Sequence, residues 1–156
     1  MRTVSRMLIA GACALALQAG SGHAAPPRNA TAADAKAMLE SAVAELNTAG
    51  EEKAFAEFNE GEGAFNTGEL YVFVFNLDGI YEAYGAHPGL VGTDVLDLTD
   101  AEGKPIVRDM IEIARTTGHG KINYVWLNRA DNRVERKMSL IELVGDHVVG
   151  VGYYPS

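Results

Sequence analysis

At 156 residues, with 13 Lys+Arg against 21 Asp+Glu and a formal net charge of −8, the chain is an acidic protein of single-domain size. Its field repels phosphate backbones and anionic membrane surfaces, which argues against nucleic acid as a partner and means that an anionic ligand needs a local cation. The one cysteine, Cys13, lies in the N-terminal leader, so the remaining chain has no thiol for a disulfide, a thiolate metal site or a nucleophile.

Residues 1–24 read as an export signal. Arg2 and Arg6 supply the positive region, Met7 to Leu17 the short apolar run, and Gly22-His23-Ala24 the small-x-small approach to cleavage, so the mature protein is expected to begin near Ala25. Ala10-Gly11-Ala12-Cys13 offers a lipid-attachment box as a competing reading, but it lacks the leucine and leaves a very short apolar segment; export is the reading adopted over lipid anchoring through Cys13. The apolar run is too short to span a bilayer, and no later window holds ~20 uncharged apolar residues. Without Arg2 and Arg6 the charge balance becomes 11 against 21. A soluble periplasmic protein is the expectation.

Residues 25–30 form a short Pro-containing tether. Beyond it Ala35, Met38, Leu39, Ala42, Val43 and Leu46 recur at helical spacing, with Thr31 and Asp34 in capping-box positions. Gly50 interrupts this long helix, and a second, Glu51 to Phe58, starts with acids that suit its dipole. "NEGEGAFNTGEL" reads as a loop. Tyr71 to Phe75 is apolar at every position, as a strand covered on two sides requires; Asn76 to Gly79 turns, and Ile80 to Tyr84 returns as a hairpin. Pro105 opens a helix that buries Val107, Met110, Ile111 and Ala114 and closes at Gly118. Three strands follow, Lys121 to Leu127, Arg133 to Leu143 and His147 to Tyr154, joined by "RADN" and "GD" turns. The economical fold is α+β: a five-stranded antiparallel sheet with helices on one side.

Seven segments, in order, carry a resemblance: "KAFAEFN" before the sheet, "GELYVFVFNLDG" as first strand and turn, "AHPGLVGTD" after the second strand, "DAEGKP" opening the helix, "GHGKINYVW", "KMSLI" and "VVGVGYY" in the last three strands. From Phe55 to Tyr154 the chain resembles a single Cache domain of the second type, an extracytoplasmic PAS-like sensor family. The resemblance implies one domain over residues 31–156, a long N-terminal helix and a sheet whose covering helices and loops enclose a small-molecule pocket, often for short organic acids. Lys121 departs from the family, which often has an aromatic beside that glycine. Members usually sit between membrane spans of chemoreceptors or histidine kinases. Here no span or signalling module follows, so the expectation is an exported accessory that presents its ligand state to a membrane sensor or transporter.

Five residues are candidates for the ligand site. His87, in the glycine-punctuated loop, has two roles open to it: donating to a ligand carboxylate, or pinning the loop to backbone. Lys137 shares a strand face with Glu135, Ser139 and Ile141, where it either meets an anionic ligand or stands as an exposed edge-strand guard. Tyr71, Tyr124 and Trp126 are expected as pocket walls, with Phe73 and Phe75 as core. The ligand favoured is a short carboxylate, and its binding is expected to reorder the Gly85 to Thr93 loop. No metal is expected: Asp94, Asp97, Asp100 and Glu102 lack the EF-hand spacing, and His119 and His147 have no helical partner. Nor is a cofactor or an enzyme, because there is no serine elbow, Walker loop or dinucleotide fingerprint. Gly145, Gly150 and Gly152 are read as serving turns and close backbone approach. Two other classes stay open: an interaction module with a vestigial pocket, dimerising through the Thr31 to Leu46 helix, and a small periplasmic enzyme working through His87.

Overall fold

A computed structural model describes residues 29–155. The export signal expected over 1–24, Cys13 within it and most of the 25–30 tether lie outside the described residues.

Helix α1, Ala32–Ala49, starts from the expected capping box: the Thr31 hydroxyl accepts the Asp34 amide, and the Asp34 carboxylate accepts the Thr31 amide at 2.8 Å. Gly50, at φ 84°, turns the chain into α2, Glu51–Phe58. The sheet is built from β1 (Asn66–Thr67), β2 (Leu70–Asn76), β3 (Tyr81–Tyr84), β4 (His119–Asn128), β5 (Arg133–Val144) and β6 (His147–Tyr153), with α3, Ile106–Thr117, between β3 and β4. All pairings are antiparallel, in the order β1-β2-β6-β5-β4, with β3 pairing β2 as well. The sheet thus has six strands where five were expected. The addition, β1, is two residues long, too short to show a period, and lies in the segment read as loop.

Alternation along β2 divides the core. Val72 and Val74 pack with Ala35, Met38, Leu39, Ala42 and Leu46 of α1, while Tyr71, Phe73 and Phe75 pack with Ile106, Val107, Met110, Ile111 and Ala114 of α3. The expectation of helices on one side of the sheet is therefore corrected: α1 and α2 cover one face and α3 the other. The run from Leu70 to Phe75, buried at every position, leaves neither face of β2 fit for water. Gly118, at φ 78°, closes α3 by a bond from its amide to the Ala114 carbonyl. No helix among the described residues is long and apolar enough to cross a membrane.

The acidic loop after β3 is structural. Asp100 accepts backbone amides of Val125, Lys104 and Glu102, which hold its carboxyl below the usual range and tie the turn to the outer edge of β4. Lys104 Nζ adds a bond to the Asn123 carbonyl on that same edge. Asp97 pairs with Arg108 of α3, and Asp94 accepts the Leu96 amide. His147 likewise has partners that the sequence hides: Glu82 at 2.6 Å on Nδ1 and Glu51 at 3.1 Å on Nε2. Burial works against the charged ring, but the two carboxylates prevail and raise its pKa.

Two glycines in β6 make room for side chains rather than for backbone alone. A Cβ at Gly150 would overlap the Phe73 ring, and one at Gly152 would overlap Lys137 Cε and lie 2.5 Å from Ser139 Oγ. Gly150→Ala is expected to cost about 1–3 kcal/mol by overpacking against a ring that cannot yield. Gly61→Ala, with nothing within 4 Å, serves as the control and leaves stability unchanged or slightly raised. Chemical denaturation of both variants measures the difference; equal midpoints would contradict the packing described.

Candidate functional site

The site grows out of the row of residues that β2, β6 and β5 bring side by side. Ser139 of β5 pairs with Gly152 of β6, and Val72 of β2 pairs with Val151, which puts Tyr71, Gly152 and Ser139 across one end of the sheet. With no side chain at Gly152, the four-carbon stem of Lys137 lies across β6, and Nζ donates to the Tyr71 hydroxyl at 2.7 Å. Lys137 is fully buried, and β5 runs between β4 and β6. The alternative of an exposed edge-strand lysine is thereby removed.

The ammonium has rings for neighbours in place of a counter-ion. Nζ lies 4.1 Å from the Tyr71 ring centroid and 5.0 Å from that of Tyr154. No carboxylate among the described residues comes within ion-pair distance. Burial brings its pKa down from 10.5 to about 7, the Arg129 charge acts in the same direction, and Glu69 opposes both. Glu69 is itself committed, accepting the Ala30 amide at 2.6 Å and the Asn128 side-chain amide at 3.4 Å.

Arg129 is the residue that sequence reasoning missed. It leads the β4–β5 turn, bonds Asn66 Oδ1 and the Gly68 carbonyl, and places its guanidinium carbon 4.9 Å from the Tyr71 centroid. One tyrosine ring therefore serves two cations. Asn66 in turn donates to the Gly85 carbonyl at 2.7 Å, which joins Arg129 to the loop after β3.

Two voids adjoin Tyr71. A small one of about 20 Å³, between the sheet and α3, is lined by Tyr71, Phe73, Phe75, Tyr81, Tyr84, Tyr124 and Trp126 with three α3 side chains; it holds no more than a water. Beside it a cleft of about 290 Å³ opens under the loop after β3, with Tyr71, Tyr84, Trp126, His87 and Arg129 in its lining. Of the expected residues, Tyr71 and Trp126 face both voids, Tyr124 faces the smaller, and His87 stands exposed at the cleft mouth, its ring 5.8 Å from that of Tyr84. Lys137 lines neither; it sits behind Tyr71. Tyr124 spends its hydroxyl on Ser139 at 2.9 Å, and Tyr154 donates to the Leu127 carbonyl at 2.8 Å. Burial raises the phenols of Tyr71, Tyr124 and Tyr154, and that of Tyr84 despite the opposing influence of Tyr71, Trp126 and Arg129, so the wall is neutral near neutral pH.

The loop over the cleft is fastened at both ends. The Gly85 amide bonds the Val72 carbonyl, and the Gly92 amide bonds the Tyr81 carbonyl at 2.8 Å, while residues 87–92 between them are exposed. A larger open groove of about 920 Å³ lies at the other end of β2, among Glu51, Asp78, Glu82, Asp146 and His147. Its one half-buried polar ring, His147, is already bonded on both nitrogens, so it offers a ligand less than the aromatic cleft does.

The charge on Lys137 has a measurable signature. Between about pH 7 and 10.5 the unfolded chain holds a proton there that the folded chain tends to lose, so the penalty is full below about 7 and fades as pH rises to 10.5. Lys137→Met is expected to be more stable than wild type at about pH 6, by an amount of the order of a few kcal/mol, with the gap narrowing toward pH 10. Urea denaturation across that range checks it; parallel profiles for the two proteins would contradict a buried unpaired amine.

Comparison with known proteins agrees with this architecture. A crystal structure of a methyl-accepting chemotaxis protein from Vibrio parahaemolyticus RIMD 2210633 superposes with a TM-score of 0.66 at 20% identity, covering 78% of this chain and 86% of that one. A periplasmic sensor domain of a chemotaxis protein gives 0.61 at 19% identity, over 78% and 88%. A Cache chemosensory domain that recognises carboxylic acid gives 0.61 at 19%, over 78% and 86%. No curated protein sequence matches the chain. The model of the Cache domain family matches residues 61–155, well over half of the sequence, and the chain belongs to that family.

Proposed function

We propose that this Cache domain is an exported, sensor-type binding protein for a short organic acid, seated in the cleft between the Tyr71, Tyr84 and Trp126 wall and the loop after β3. The observation that carries the reading is the sharing of the Tyr71 ring by Arg129 and Lys137. In a chain with a net charge of −8, two basic side chains held on one ring without an ion-paired carboxylate on the inner one are an electrostatic arrangement suited to an anion. Arg129 faces the cleft and has the planar fork that carboxylates match. His87 is placed to donate at the mouth, and Lys137 acts through Tyr71 rather than by touching the ligand. A volume of about 290 Å³ is at the small end for a ligand pocket, which suits a small metabolite. The carboxylic acid recognised by the chemosensory neighbour supports the same ligand class. The domain then acts in the periplasm as an accessory that presents its ligand state to a membrane sensor or transporter.

A screen by thermal shift tests the reading. Acetate, propionate and pyruvate at a hundredfold excess over Kd are expected to stabilise by about 2.7 kcal/mol, a shift of several degrees for a domain of this size. Amines and urea are expected to do nothing. Arg129→Gln is expected to weaken binding by about 10–100-fold, the loss of one charge-assisted contact. A response to amines alone, or an unchanged affinity in the variant, would remove the anion site.

A second reading, an interaction module with a vestigial pocket, draws on Leu127 and Val134, which are exposed at 47% and 61% and face each other across β4 and β5. It expects a flat screen and self-association in light scattering that Leu127→Ser abolishes.

A further inference from the structure

We propose that the acid enters this site together with a proton: seating a carboxylate against Arg129 is coupled to the charging of the Lys137 amine behind Tyr71. The inference rests on the binding role proposed above and adds its regulation.

Geometry makes the empty site a poor place for two positive charges. The Lys137 and Arg129 heads lie 4.1 and 4.9 Å from the centroid of one ring, and Lys137 is fully buried. A guanidinium does not give up its proton in a protein, whereas a buried amine does. Of the pair, Lys137 is the group that yields. Its bond to Tyr71 survives that loss, because a neutral amine still donates N–H.

The titratable and charged groups that face the amine come from the strands and turns around it. From β2, β4, the chain after β6 and β3, the phenols of Tyr71, Tyr124, Tyr154 and Tyr84 are all held neutral near neutral pH. Ahead of β2, Glu69 is buried and bonded to Ala30 and Asn128. On β5, two positions away, Glu135 is bonded to Asn128 at 3.1 Å. From the β4–β5 turn, Arg129 supplies the opposing charge. Burial and that charge together leave Lys137 titrating at about 7. An anion against Arg129 cancels the repulsion and adds an attraction, so the amine recovers its proton: one carboxylate and one proton enter, and an ammonium–carboxylate arrangement results. The ligand's own carboxyl stays ionised throughout this range. His87, exposed at the cleft mouth, is the nearest imidazole to the cleft, and the experiment separates it from Lys137.

Acetate is titrated calorimetrically into the protein in phosphate and in Tris, whose ionisation enthalpies differ, so the difference in heat counts protons. At about pH 8 nearly one proton is expected to be taken up per acetate, falling toward none at about pH 6, and Kd is expected to rise close to tenfold per pH unit above about 7.5. His87→Gln keeps the uptake and Lys137→Met loses it. Acetate binding with no proton uptake in the wild type overturns the inference and leaves the binding role standing. Uptake that disappears in His87→Gln overturns it too, by moving the proton to the cleft mouth. If neither acetate nor propionate binds at any pH, the binding role falls and the inference with it.

Discussion

A fully buried amine with a tyrosine hydroxyl as its polar partner is the constraint around which the pocket side of this sheet is organised. Lys137 starts on β5 and ends against β2, so its stem has to cross β6, and Gly152 is the position that allows the crossing. The same crossing fixes the Tyr71 hydroxyl, and with it the face that Tyr71 turns toward the cleft. Arg129 then approaches that ring from the β4–β5 turn. The two steps gather basic groups at one tyrosine in an otherwise acidic molecule: Lys137 buried behind the ring, Arg129 exposed at the cleft, and Glu69 the carboxylate whose charge still reaches the amine.

The rest of the fold gives this arrangement its rigidity. The α1 helix closes the opposite face with Ala35, Met38, Leu39, Ala42 and Leu46, so β2 is backed by an apolar core on one side and free to carry Tyr71, Phe73 and Phe75 on the other. Asp100 ties the connecting loop to the edge of β4, and Asn66 ties the Arg129 turn to the loop over the cleft. These are contacts between distant parts of the chain that hold polar groups with few degrees of freedom. A site fastened in this way keeps the Lys137 amine and the Arg129 guanidinium in place before a ligand arrives.

Much of the fold was legible because its signals are local. Thr31 and Asp34 announce α1, Gly50 ends it, Pro105 and Gly118 bracket α3, and the β-branched run of β6 needs no tertiary information to be read as a strand. What failed was non-local. The two residues of β1 carry no period, and the placing of α3 on the face opposite α1 depends on how the strands assemble. In the site, Tyr71, Tyr124, Trp126 and Lys137 stand out as aromatic and cationic residues on strands, and the structure brings them to one end of the sheet. Arg129 sits in a four-residue turn that looks like solvent-exposed punctuation, and its partners Asn66 and Gly68 are 63 and 61 positions away. Gly152 was legible as a close approach but not as the gap for a lysine, since the side chain that fills it belongs to another strand. His87 was singled out correctly as non-core, and the structure puts it at the mouth of the cleft, exposed, rather than at its floor.

The central claim is that Lys137 is an unpaired amine inside the protein whose charge is governed by what occupies the cleft. The most direct measurement is an NMR titration of the Lys137 side chain, labelled with ¹³C at Cε, following its shift against pH with and without acetate. The account predicts a midpoint at about 7 in the free protein, far below the ordinary 10.5, and a move upward when acetate is present. A midpoint near 10.5 in the free protein would contradict it, because the amine would then be as well accommodated as one in water.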